Sequence, residues 1–182
     1  MPRIPALDPV KASGPAKDLL DAVHQKLGKV PNMMRTMAHA PVTLKAYLST
    51  SEALGHGLLS GKVREAIALA VGDANRCEYC VSAHTMLGKM HGLSQDETVS
   101  VRQGNSPDPQ VQAAVRFALA INEKRGRISD ADFAAVKAAG FTDGQIAEIV
   151  ANVALNILTN YFNDVAGVET DFPKVALLPR SG

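Results

Sequence analysis

With 182 residues and a hydrophobic fraction of 46%, the chain is long enough to bury one sizeable core. Only 4% of its residues are aromatic and none is Trp, so that core must be aliphatic, built from Ala, Leu, Val, Ile and Met. Nineteen basic against eighteen acidic residues give a net charge of +1, and neither sign collects in a run, so there is no electrostatic case for a nucleic acid or an anionic membrane as partner.

The first nine residues carry three prolines and no continuous apolar stretch, which speaks against an ordinary secretory signal. Residues 1–14 read as an extended N-terminal arm that lies over the body or over a neighbouring subunit. Leu19, Leu20, Val23 and Leu27 then recur at helical spacing up to Gly28. After the turn at Val30-Pro31-Asn32, Met33, Met34 and Met37 form a short helix whose methionines read as core filler. Pro41 opens a helix that Gly55-His56-Gly57 ends. Ser60 caps the next, with an apolar stripe through Val63, Ala66, Ile67, Ala70 and Val71 to Asp73. Glu65 stands between those apolar positions.

Further on, Ser94-Gln95-Asp96-Glu97 is a capping box. Asp108 or Pro109 starts a helix that runs to Lys124-Arg125-Gly126. Ser129 caps a short one, and Thr142-Asp143-Gly144-Gln145 caps a long one over residues 143–163. That last helix carries Asn152, Asn156 and Asn160 at steps of four. Such a row faces solvent, bonds to other helices or a subunit, or lines a site. The row and the segment around Met34 are the expected surfaces for contact between copies. Residues 167–182 read as an extended tail. No segment alternates with a period of two and none is long and uncharged enough to span a bilayer, so the fold class is all-α and no membrane is expected.

The chemistry concentrates in Asn75-Arg76-Cys77-Glu78-Tyr79-Cys80-Val81-Ser82-Ala83-His84, which holds both cysteines. If a helix begins near Cys77, then Cys77, Cys80 and His84 share one face, at i,i+3 and i,i+4 spacing. A helix N-terminus and an imidazole both favour the thiolate, the reactive form. Two cysteines without an export signal suggest a reducing, cytoplasmic setting and a working pair. Three readings stay open at this point: a redox pair, which is preferred; a zinc site, which His91, His56 or Glu65 would have to complete; and an inert buried pair.

The pattern Glu65-x11-Cys77-x2-Cys80-x3-His84 resembles that of the alkyl hydroperoxidase D (AhpD) proteins of the carboxymuconolactone decarboxylase superfamily. Val30-Pro31-Asn32, Leu59-Ser60-Gly61-Lys62-Val63-Arg64-Glu65 and Asn160-Tyr161-Phe162-Asn163 are similar to stretches in its peroxidase-related branch, so the resemblance spans about residues 28–165. It implies an AhpD-like helical bundle over residues 15–166 that assembles as a homo-oligomer, a trimer or hexamer. It also implies reduction of a peroxide substrate without cofactor or metal, with Cys80, Cys77, His84 and Glu65 as the catalytic set. A dithiol donor, a lipoyl group or a thioredoxin-like protein, would reopen the disulfide.

The best-known members place a histidine directly before the second cysteine, where this chain has Tyr79. Decarboxylase members lack the cysteine pair, which argues against that chemistry here. A redox-switched or zinc-holding interaction module is the alternative outside enzymology. The helix N-terminus favours Cys77 as the attacking thiolate and His84 favours Cys80; the family pattern sides with Cys80.

Overall fold

The computed structural model describes residues 1–179, and these contain no strand. Among the described residues nine α-helices follow one another: α1 Gly14–Leu27, α2 Asn32–Met37, α3 Pro41–Gly55, α4 Gly61–Ala74, α5 Glu78–Met90, α6 Gln95–Ser100, α7 Pro109–Lys124, α8 Asp130–Ala138 and α9 Asp143–Ala166. A short 3-10 turn, Val101–Gln103, extends α6.

The helix starts are set by local chemistry. Ser94, Ser129 and Thr142 each form a reciprocal capping box, with Glu97, Asp132 and Gln145 respectively, so two otherwise orphaned backbone N–H groups are satisfied at each start. Ser60 and Asp108 cap α4 and α7 by side-chain oxygen alone. Salt with Lys124 and hydrogen bonds from Ser129 hold the Asp132 carboxyl down at about 2, which keeps its cap ionised across the ordinary pH range.

Helix α4 is central. Every residue from Ala66 to Asp73 is buried, and α5, α7 and α9 all pack on it. One apolar cluster joins α4 to α7, α8 and α9 through Ile67, Leu69, Val71, Val115, Val136 and Ile149. A second, around Leu20, Met33, Met37, Leu44 and Tyr79, joins α1, α2 and α3 to the start of α5, and both cysteines sit in it. The aliphatic core expected from composition is thus present in two parts.

The N-terminal arm lies on its own body. Backbone N–H groups of Arg3 and Ile4 donate to the Ala166 carbonyl, and the Arg3 guanidinium donates to the carbonyls of Asp164 and Val165. These are the free acceptors at the C-terminus of α9, where the helix dipole also favours a cation. Helix α9 runs three residues past the expected end at 163, because Gly167, in the left-handed region at φ 63°, closes it there. A Cβ on Gly167 would lie 3.3 Å from the Arg3 nitrogen, so that glycine also admits the arm.

The C-terminal tail is extended and is tied down by polar contacts. Buried Asp73 pairs with buried Arg102, which also donates to the Ala176 carbonyl, while Val175 N–H donates to Ser82 Oγ at 3.0 Å. Residues 180–182 of the expected tail lie outside the described residues. The expected contact surfaces need correction: Met33, Met34 and Met37 are buried within the chain, and so are Asn152, Asn156 and Asn160. The apolar residues left outward on α9 are instead Val150, Leu158, Tyr161 and Val165.

Candidate active site

Helices α4 and α5 form an antiparallel hairpin with only Asn75, Arg76 and Cys77 between them. The link is a Schellman motif: Cys77 N–H donates to the Gly72 carbonyl and Arg76 N–H to the Asp73 carbonyl, both at 2.9 Å. Arg76 occupies the left-handed position, at φ 62°, that glycine usually takes. The next residue, Cys77, is already the N-cap of α5, its Sγ accepting Cys80 N–H at 3.2 Å. A helix therefore begins at Cys77, as the spacing predicts.

Small residues let the two helices close up. A Cβ on Gly72 would lie 3.4 Å from Cys80 Cβ, and one on Gly88 would meet Leu93, Leu69 and Glu65. This close antiparallel register brings Glu65, near the start of α4, opposite His84, in the second turn of α5. His84 Nδ1–H donates to Glu65 Oε2 at 2.7 Å. A carboxylate accepts, so this bond places a proton on Nδ1 and directs Nε2 away from Glu65. The two side chains are mostly buried, with 15% of Glu65 and 24% of His84 exposed.

Cys77 and Cys80 are joined by a disulfide, with their Cα atoms 5.3 Å apart. Their access differs. Cys80, Glu65 and His84 all line one cavity of about 410 Å³, whereas Cys77 is fully buried behind it. The cavity walls are apolar for the most part, with Met33, Met34, Leu54, Met86, Leu87 and Leu155 among them. Tyr47, half-buried beside Glu65, has its hydroxyl pushed up in pKa by burial and stays a neutral phenol.

Of the three residues that could complete a zinc site, Glu65 is at the site but bonded to His84, and the two histidines are elsewhere. His56 is exposed at the end of α3 and bonds to the Glu52 carbonyl, and the His91 ring packs against Gly61. Among the described residues no group of three or more His, Cys, Asp or Glu side chains is arranged to hold a metal ion.

The asparagine row divides. Asn152 and Asn156 line the cavity and donate to the carbonyls one turn back on α9, at 2.8 Å each. Asn160 accepts from Asn75, which exchanges amide hydrogen bonds with Asn122, and so ties α9 to α4 and α7. The solvent-facing reading of the row is thereby overturned. One residue that the row pointed towards lay a step beyond it: Asn163, on the same helix face, has its Nδ2 3.3 Å from Cys80 Sγ. Steps of 4, 4 and 3 from Asn152 follow the 3.6-residue period better than steps of four alone, and that is the signal that could have found it.

Tyr79, standing where relatives of the resemblance have a histidine, has a structural use. Its hydroxyl donates to Asp171 Oδ1 at 2.9 Å and accepts Met33 N–H at 3.3 Å, while Asp171 Oδ2 accepts Asn32 N–H. The phenol thus ties α5, the start of α2 and the tail together, with Phe172 packed edge-on to its ring at 5.5 Å. Burial first, and then the Asp171 charge, push its pKa above the ordinary tyrosine value, so it stays a neutral phenol at neutral pH. Tyr79→Phe is expected to lower stability by about 1–3 kcal/mol, because it strands the buried Met33 N–H and removes the hydrogen bond to Asp171. Denaturant unfolding checks this, and an unchanged midpoint would count against the tie.

Residues 41–123 match the model of the carboxymuconolactone decarboxylase family. No curated protein matches the chain. Among solved structures, a peroxidase-related protein of Ralstonia eutropha JMP134, described as an alkylhydroperoxidase AhpD core, aligns with TM-score 0.82 and 28% identity over 93% of this chain and 92% of that one. A peroxidase-related protein of Silicibacter sp. TM1040 aligns at 0.79 and 24% over 91% of each chain. The debrominase Bmp8 aligns at 0.76 and 18% over 92% of this chain and 91% of its own, which shows the shared fold alone. The segment matched by the family model runs from α3 into α7 and so includes the α4–α5 hairpin with its paired cysteines, and the helical architecture as a whole is similar to that of the AhpD-like, peroxidase-related structure.

Proposed function

We propose that the protein is a thiol-dependent reductase of organic hydroperoxides. The observation that carries this is one cavity wall shared by Cys80, the His84–Glu65 pair and a mostly apolar lining, with Cys77 sealed directly behind Cys80. A volume of about 410 Å³ suits a small organic molecule better than hydrogen peroxide alone.

In the reduced protein, the Cys80 thiolate attacks the distal oxygen of ROOH, the O–O bond breaks, and Cys80 becomes a sulfenic acid while RO⁻ takes a proton from the His84 side to leave as ROH. The Cys77 thiol then attacks the sulfenic sulfur, water leaves, and the disulfide forms. A dithiol donor reduces that disulfide and is itself oxidised to a disulfide, restoring both thiols. Cys80 is only 3% exposed, so the donor must reach it on a slender arm, as a lipoyl group does, in preference to a cysteine on a globular surface.

The test is a thiol count. One equivalent of cumene hydroperoxide added to the reduced protein is expected to remove both thiols and release one equivalent of the alcohol. Retention of both thiols, together with stoichiometric zinc in protein purified without chelator, would favour the interaction-module reading instead. Self-association belongs to the same proposal, with the outward apolar row on α9 as its surface and a second copy of this chain as its occupant. Light scattering is expected to show three or six chains per particle, and a monomer at micromolar concentration would remove this part.

A further inference from the structure

Asn163 is almost fully buried, at 3% exposure, and its amide is surrounded by sulfur. Nδ2 lies 3.3 Å from Cys80 Sγ, 3.8 Å from Cys77 Sγ and 3.5 Å from Met33 Sδ. Its Oδ1 is buried and accepts no hydrogen bond. A buried amide that directs its donors at weak acceptors and leaves its oxygen unpaired is poorly matched to a disulfide.

The same amide is well matched to a dithiol in which one sulfur is ionised. A thiolate is a strong acceptor, and a neutral thiol brings an S–H donor that a disulfide lacks. We propose that Asn163 is a catalytic residue that selects which sulfur ionises: in the reduced protein its Nδ2–H donates to the Cys80 thiolate while its Oδ1 accepts the S–H of Cys77. The step is an ionisation with no change of oxidation state, in which the Cys80 proton leaves through the cavity to His84 or solvent.

This device answers a competition built into the hairpin. Cys77 sits at the helix N-terminus and its sulfur accepts a backbone N–H, both of which favour charge on the wrong, sealed sulfur. Asn163 weights the balance towards Cys80, the sulfur with access to the cavity. The inference rests on the reading of the pair as one that cycles between disulfide and dithiol, but not on the identity of the oxidant.

The experiment measures thiolate formation directly, by absorbance at 240 nm and by the pH dependence of alkylation with iodoacetamide. It uses the reduced Cys77→Ser protein, in which the serine hydroxyl keeps a donor for Oδ1 and Cys80 is the one thiol left. Adding Asn163→Leu is expected to raise the Cys80 pKa by about one unit, a roughly tenfold loss of thiolate below it. Asn163→Asp, nearly isosteric, is expected to raise it further by replacing the donor with a carboxylate, and it carries the test if the Leu variant misfolds. In the Cys80→Ser background, Asn163→Leu should leave the Cys77 pKa unchanged or lower it.

An unchanged Cys80 pKa in a folded variant would overturn the proposal, and so would a rise confined to Cys77. Iodoacetamide is not a peroxide, so a protein that fails to reduce hydroperoxides can still pass this test, and the reverse also holds.

Discussion

Cys80→Ser is expected to abolish hydroperoxide consumption and to leave no sulfenic acid for a dimedone-type trap, while Cys77→Ser still forms a trappable sulfenic acid once per chain and then stops. The asymmetry follows from the site: only the sulfur that reaches the cavity can meet the oxidant, and only its partner can close the disulfide. Loss of the attacking sulfur removes the whole rate enhancement, whereas loss of the resolving sulfur leaves the first step nearly intact and blocks the second. Mass spectrometry of each variant after one equivalent of hydroperoxide separates them. If Cys77→Ser loses the trapped species and Cys80→Ser keeps it, the helix N-terminus outweighs cavity access and the roles are exchanged.

The second large effect concerns the proton. His84→Gln is expected to slow single-turnover oxidation of the reduced protein by about 10²-fold near pH 7, the lower end of what a positioned acid–base group contributes. Glu65→Gln, which removes the carboxylate that fixes the imidazole at 2.7 Å, is expected to cost about tenfold, on the scale of one hydrogen bond to a charged group. Without the imidazole the Cys80 thiol drifts towards its unperturbed pKa of about 8.5, so less thiolate is present at pH 7. The sign is definite. A thiol whose pKa rises regains its thiolate as pH increases, so the variant rate should climb and approach the parent above pH 9. A deficit that stays constant across pH in a folded variant would mean that His84 acts by protonating the leaving alkoxide and not by raising the thiolate population.

Much of this was legible because the signals are local. Ser60, Ser94, Ser129 and Thr142 announce their helices within four residues, and Cys77, Cys80 and His84 share a face by spacing alone. What stayed hidden depends on contacts between distant segments. The partner of Tyr79 is Asp171, in an extended tail with no periodicity to place it. Which sulfur faces the cavity is decided by how α2, α3 and α9 pack around the start of α5. The left-handed turn at Arg76 escaped because that position ordinarily signals itself by a glycine. Asn163 was visible as part of a similar stretch of sequence, yet its contact with the sulfurs spans more than eighty residues of chain.

The hairpin between α4 and α5 acts as a fixed gear. With three residues between the helices and a hydrogen-bonded turn occupying all of them, there is no slack by which one helix could be rephased against the other. One residue added to the link would rotate α5 by about 100°. That would carry Cys80 and His84 away from the cavity together and leave Glu65 without its partner, although each residue's chemistry would be untouched. Reactivity in this protein is therefore stored as an angle: the turn at Asn75–Cys77 sets it, and the cysteines, the imidazole and the carboxylate inherit it.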